Sequence, residues 1–211
     1  MPLYKIEKIN NSRFLGLWHI QESYDYLFEA LKSKTDEYSL LNTFRHEHKK
    51  MEWLAGRLTL MAMCEQLNLP YHGVIKNEHG KPFLKNSSVE ISLSHSYPYV
   101  SILLDLQEDV GIDLEQKKEK LIRVQHKFLD ENEVEDADNS LEKLGVYWCA
   151  KEALYKIYSS KNLSFKDHIR VEPFTLEPIG TVFGKIIVNG ITKSYKLEYR
   201  VEENYILAFN I

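Results

Sequence analysis

The stretch Thr181–Val201, TVFGKIIVNGITKSYKLEYRV, fixes how the chain ends. Asn189-Gly190 at its centre is a strong short signal for a tight hairpin, so the flanking runs read as two antiparallel strands. NYILAFNI, residues 204–211, supplies another strand to close that sheet. Just upstream, LEKLGVYWCAKEALYKIYSS (141–160) has the opposite periodicity. Val146, Cys149, Ala150, Ala153, Leu154 and Ile157 recur on one side of a helix. The same succession appears earlier. SYDYLFEALKS opens with Ser23 as a capping residue, and a longer helix is expected within residues 42–70, striped by Met51, Leu54, Ala55, Leu58, Met61 and Ala62. A turn, NEHGKP, and the strand-like runs VEISLSHS, YVSILLDL and VGIDLE follow. EQKKEKLIRVQHKFL (115–129) then reads as a basic helix. Helices followed by strands, twice over, suggest an α+β fold, with two related halves as one way to build it.

The bulk properties narrow the function. A chain of 211 residues with 44% hydrophobic and 27% charged residues can bury a substantial core. A formal net charge of −4 argues against a dedicated nucleic-acid binder. The apolar runs are strand-sized, so no membrane span is expected, and the N-terminal MPLYKIEKINNSRF lacks a signal-peptide core. Two cysteines, Cys64 and Cys149, make neither a disulfide framework nor a zinc spacing, which points to a reduced, cytoplasmic setting.

Four constellations carry possible chemistry. In GIDLE, Asp113 and Glu115 lie one residue apart on a strand, so both carboxylates point the same way about 6–7 Å apart. At an effective dielectric near 20 they repel by about 2–3 kcal/mol, a cost that calls for a cation unless water screens it. Taken alone, the pair also fits a solvated strand edge. In WCAKEALYK, Trp148, Glu152 and Lys156 form an i, i+4, i+8 stripe beside the apolar face. That stripe is either an ordinary surface pair or a third carboxylate with a phosphate-seeking lysine one turn on. Ser94-His95-Ser96 ends a strand without any partner for a nucleophilic triad, but it could hydrogen-bond a phosphate. Lys49, Trp53 and Arg57 share one helix side, with Lys50 adjacent and Lys81-Pro82 on the later turn.

Each pattern is weak alone, but their order is specific. EWLAGR, GKP, SHS, GIDLE and WCAKEALYK fall in the order and spacing of the surfactin-type 4′-phosphopantetheinyl transferases, and residues from about 47 to 156 resemble that family. The resemblance implies two similar α+β halves forming a pseudo-dimer, residues 1–108 and 109–211, with the ligand cleft between them. It implies transfer of the phosphopantetheine arm of coenzyme A to a serine of an apo acyl or peptidyl carrier protein, releasing adenosine 3′,5′-bisphosphate. Fatty-acid, polyketide and nonribosomal-peptide carriers all stay open.

By motif position, Asp113, Glu115 and Glu152 would hold Mg²⁺. Lys151 and Lys156 would contact phosphate, and Lys81 and Pro82 would lie beside adenine and ribose. His95, Arg57 and Lys50 would meet the 3′-phosphate, with Ser94 in support. Glu152 is the candidate base for the serine proton, and Glu133 matches a recurrent acidic position. The basic run places Lys117, Lys120 and Arg123 to dock an acidic carrier. A monomer is the expectation. The competing readings are a non-catalytic coenzyme A or nucleotide-binding module and a metal-dependent phosphohydrolase.

Overall fold

The computed structural model describes residues 4–158 and 163–211, so the Ser159-Ser160 end of the expected C-terminal helix lies outside the described residues. The chain divides into two units: Met1–Asn77 with Pro82–Glu108, and Glu78–Lys81 with Asp109–Ile211. The class is mixed α+β, and both sheets are antiparallel.

In the first unit the strands are β1 (Tyr4–Lys8), β2 (Arg13–His19), β3 (Val74–Lys76), β4 (Pro82–Leu84), β5 (Glu90–Ser96) and β6 (Tyr99–Asp105). They pair in the order β1-β2-β6-β5-β4-β3. Helix α1 (Tyr24–Lys32) starts at Ser23, whose hydroxyl accepts the Tyr26 N–H at 3.3 Å. Helix α2 (Glu47–Gln66) begins later than its sequence suggests. Glu37–Thr43 forms a 3-10 turn and Phe44 is extended (φ −87°, ψ 126°), which keeps the two helical segments apart. Asn68, at φ 53°, closes α2. Leu69 N–H returns to Cys64 O at 2.8 Å, satisfying a terminal carbonyl. Leu54 and Leu58 of α2 pack with Trp18 and Val100 of the sheet, and Leu60 and Met63 pack with Ile91 and Ile102.

In the second unit the strands are β7 (Ile112–Gln116), β8 (Ile169–Val171), β9 (Ile179–Val188), β10 (Ile191–Val201) and β11 (Tyr205–Asn210). Their order is β7-β11-β10-β9-β8. The β9–β10 turn is the expected tight hairpin: Val188 pairs with Ile191, and Asn189 and Gly190 take φ 51° and 77°. The basic run is not one helix. Glu115 and Gln116 are committed to pairing with Ile206 and Tyr205, so helix α3 is confined to Lys120–Val124, with a 3-10 turn at Gln125–Lys127.

Helix α4 (Glu131–Ala137) opens with a reciprocal cap between Asp130 and Glu133. Helix α5 (Leu141–Tyr158) is the spine of this unit. Its Leu144, Val146, Leu154 and Ile157 are buried in one core cluster that includes residues of β8–β11, each contributing about 1.5–3 kcal/mol. Gly111 brings the chain entering β7 against α5 so closely that a Cβ there would collide with the Ala153 carbonyl and stand 2.7 Å from Ile157 Cγ1.

Candidate functional site

The backbone brings the acids of GIDLE and the helix of KEALYK together. Asp113 and Glu115 pair across to Ala208 and Ile206, and both partners pack with α5, so the two carboxylates lie on the helix side of the sheet. Asp113 is buried and Glu115 half-buried. Lys156 Nζ lies 2.8 Å from Asp113 Oδ1 and also donates to the Ile112 carbonyl at 2.8 Å. One turn earlier on α5, the Glu152 carboxyl is pushed up to about 7. Burial is the main cause, Asp113 and Glu115 add to it, and Lys156 opposes it. The three acids and one lysine therefore share a single electrostatic field. Among the described residues, no three His, Cys, Asp or Glu side chains are already drawn together as a metal cage. The positive charge of Lys156 stands directly against Asp113.

Lys151, the sequence neighbour of Glu152, does something else. It is fully buried, and its Nζ donates to Glu133 Oε2 (2.6 Å) and to the carbonyls of Phe128, Phe165 and Ile169 (2.8–2.9 Å). Glu133 in turn accepts the N–H groups of Asp130 and Val171. The expected phosphate contact of Lys151 does not fit this geometry. Its hydrogens are spent inside the fold, tying α5 to α4, to the segment before β8 and to β8 itself. Position 151 lies 100° of helix rotation from 152, which turns one side chain inward while its neighbour faces the acids.

Beside Glu115 opens a groove of about 640 Å³. Leu121, Phe128, Trp148 and Phe165 make its apolar floor, and Lys118 and Lys120 stand on its edge. Trp148, first residue of the helix stripe, meets Phe128 edge-on at 5.0 Å between centroids. On the basic run, Lys117 pairs with Glu142 at 2.7 Å and Lys118 approaches Glu115 at 3.7 Å, whereas Lys120 and Arg123 are exposed. Lys81 pairs with Asp109 at 2.9 Å, and Pro82 opens β4.

In the first unit the expected phosphate-binding residues fall into separate sets. His95 is partly exposed near the end of β5, while Ser94 is buried on the opposite strand face, its carbonyl accepting the Ser101 hydroxyl at 3.4 Å. Arg57 is buried, 4.8 Å from the Trp53 ring, and its electrostatic neighbours are Tyr71 and Glu37. Lys50 stands 5.9 Å over the Tyr24 ring. The companions of His95 are Glu52 and Lys49 instead. In the sequence Glu52 reads as an ordinary helix-surface acid in EWLAGR. Its only available signal was its spacing of three from Lys49.

Residues 109–209, just under half of the chain, match the family model described as the 4′-phosphopantetheinyl transferase superfamily. Over its C-terminal half the chain is similar to that superfamily. It is also 32% identical over 111 residues to "4′-phosphopantetheinyl transferase gsp" of Aneurinibacillus migulanus. That match covers 49% of this chain and 46% of the relative, so the chain matches the curated relative over about half of its length. The superfamily match contains Asp113, Glu115, Glu133, Lys151, Glu152 and Lys156. His95, Arg57, Lys50 and Lys81 lie outside it. No helix among the described residues is long and apolar enough to cross a membrane.

Proposed function

We propose that the chain transfers the 4′-phosphopantetheine arm of coenzyme A to a serine hydroxyl of an apo acyl or peptidyl carrier protein, releasing adenosine 3′,5′-bisphosphate. The observation that carries this reading is Lys156 against Asp113 on the helix that presents Glu152. That arrangement suits a pyrophosphate substrate: carboxylates for a hard cation, and an amine for the phosphate itself. The match of residues 109–209 to the superfamily model also supports it.

The donor chemistry fits Mg²⁺. All three candidate ligands are carboxylates, and Mg²⁺ takes one or two carboxylates together with phosphate oxygens and water, so a preformed cage is not required. Asp113, Glu115 and Glu152 would hold it, and when bound it supplies charge neutralisation at the pyrophosphate. The chain's own groups divide the remaining work. Lys156 turns from Asp113 toward a phosphate oxygen. Glu152 accepts the serine proton as the serine oxygen bonds to phosphorus and the pyrophosphate P–O bond breaks. His95 holds the 3′-phosphate, and Lys81 with Pro82 flanks the nucleoside. The carrier docks on Lys120 and Arg123, with Lys117 joining when it leaves Glu142. A cytoplasmic setting stays part of the reading, on the two free, buried cysteines.

The test is direct. The chain is incubated with coenzyme A, Mg²⁺ and several apo carrier proteins, and the carriers are weighed. Gain of one phosphopantetheine per carrier supports transfer. No gain on any carrier, with coenzyme A binding intact, favours a binding module and sinks the transferase reading.

A further inference from the structure

Glu52 lies on α2 with only 2% of its side chain exposed, yet it is the meeting point of two half-exposed groups. Lys49 Nζ, from the same helix, is 2.7 Å from Glu52 Oε2. His95 Nδ1, from β5, is 3.1 Å from the same oxygen. Both lie within ion-pair distance of Oε2. The other oxygen, Oε1, accepts the Tyr97 N–H at 2.8 Å and so fixes the carboxylate to the turn that ends β5. Tyr97 is held from its other side too, its ring stacked on His48 at 4.0 Å and 6°.

We propose that Glu52 is a positioning residue that gathers Lys49 and His95 into one anion-binding pair for the 3′-phosphate of coenzyme A. This rests on the reading of His95 as a coenzyme A contact given above. Lys49 and His95 come from different elements, and their side chains are 52% and 46% exposed. Long exposed side chains lose orientation freely unless something fixed holds them. The buried carboxylate, tied to backbone at one oxygen, is that fixed point. Nδ1 of His95 faces Glu52, which leaves Nε2 as the ring nitrogen for a ligand. Burial alone would raise the Glu52 carboxyl, but His95 and Lys49 outweigh it and hold it at about 2, so the anchor stays charged at any working pH.

The sign of the effect separates positioning from bulk charge. Glu52→Gln removes a negative charge beside an anion site. If Glu52 contributed only charge, the variant would bind coenzyme A more tightly. Positioning predicts the reverse: KM for coenzyme A rises about tenfold while kcat changes little. With 3′-dephospho-coenzyme A the same variant should match the unaltered chain. Glu52→Asp keeps the charge and withdraws the carboxylate by one methylene, so positioning again predicts a higher KM for coenzyme A. Asp also covers the case in which the Gln variant folds poorly.

His95→Ala separates this inference from the reading beneath it. Where it leaves KM for coenzyme A unchanged, the assignment of His95 falls, and this inference with it. A raised KM in His95→Ala together with an unchanged or lowered KM in both Glu52 variants overturns the role of Glu52 alone.

Discussion

Lys156 Nζ and Asp113 Oδ1 lie 2.8 Å apart, joining the last turns of α5 to the second residue of β7. This contact does two things. It compensates a buried carboxylate, and it holds in the acid cluster an amine that, on the proposed function, exchanges Asp113 for a phosphate. Exchange is inexpensive when the incoming group replaces the lost charge, and costly when nothing does.

Glu152→Gln should abolish transfer without harming the fold. Loss of a positioned proton acceptor typically costs 10²–10⁴-fold, and loss of a ligand adds to it. Because Asp113 and Glu115 repel Glu152, neutralising it should leave the melting temperature unchanged or slightly raised. Near wild-type turnover at saturating Mg²⁺ would remove Glu152 from the reaction.

Lys151→Met should act on stability. It strands Glu133 in the interior, at a cost of about 3–5 kcal/mol by chemical denaturation. Adding Glu133→Gln should recover part of that loss. The fraction that remains folded should bind coenzyme A with unchanged affinity. A selective rise in KM with an intact fold would return Lys151 to the phosphate.

Gly111→Ala should weaken the fold and the reaction together. The added methyl meets the Ala153 carbonyl, which cannot rotate away, so β7 and α5 must part. Overpacking of this kind costs about 1–3 kcal/mol. Transfer should fall further than the stability loss explains, because Asp113 and Glu152 separate by the same displacement. Full activity in a destabilised variant would show that their spacing is not critical.

Acid should destabilise the first unit through Glu52. Its folded-state carboxyl is held at about 2 against an ordinary 4.5, so its contribution is complete above pH 4.5 and is lost as the pH falls toward 2. The difference is worth on the order of 3 kcal/mol. Unfolding free energies measured from pH 5 down to pH 2 should show a steeper loss in the unaltered chain than in Glu52→Gln. Parallel curves would deny Glu52 this role.

Reversing Lys120 and Arg123 to Glu should lower kcat/KM for the carrier at low salt and flatten its salt dependence. KM for coenzyme A should not move. Equal carrier kinetics in the reversed variant would place docking elsewhere.

The C-terminal hairpin, α5 and the acid pair were readable in the sequence because their patterns are local. Asn189-Gly190 dictates its own turn, and the i, i+4, i+8 stripe places Glu152 and Lys156 on one flank. What escaped depends on distant partners. Lys151 and Glu152 look equivalent in KEALYK until Phe128, Glu133, Phe165 and Ile169 surround one of them. Glu52 looks like any helix acid until β5 sets His95 against it. The short strands β3, β4 and β8, each of three residues, are too brief for periodicity to reveal. The run 115–129 read as one helix because its charge pattern hides that Glu115 and Gln116 already belong to a sheet.

Gly111 also limits how this architecture can diversify. With backbone touching backbone where β7 is entered, α5 cannot come closer, and any parting to suit a larger ligand or cation costs stability. Changes in what the chain accepts would come more readily from the rim of the groove beside Glu115, where Lys118 and Lys120 stand. Efforts to broaden its substrate range would do best to randomise that rim and leave the strand and helix untouched.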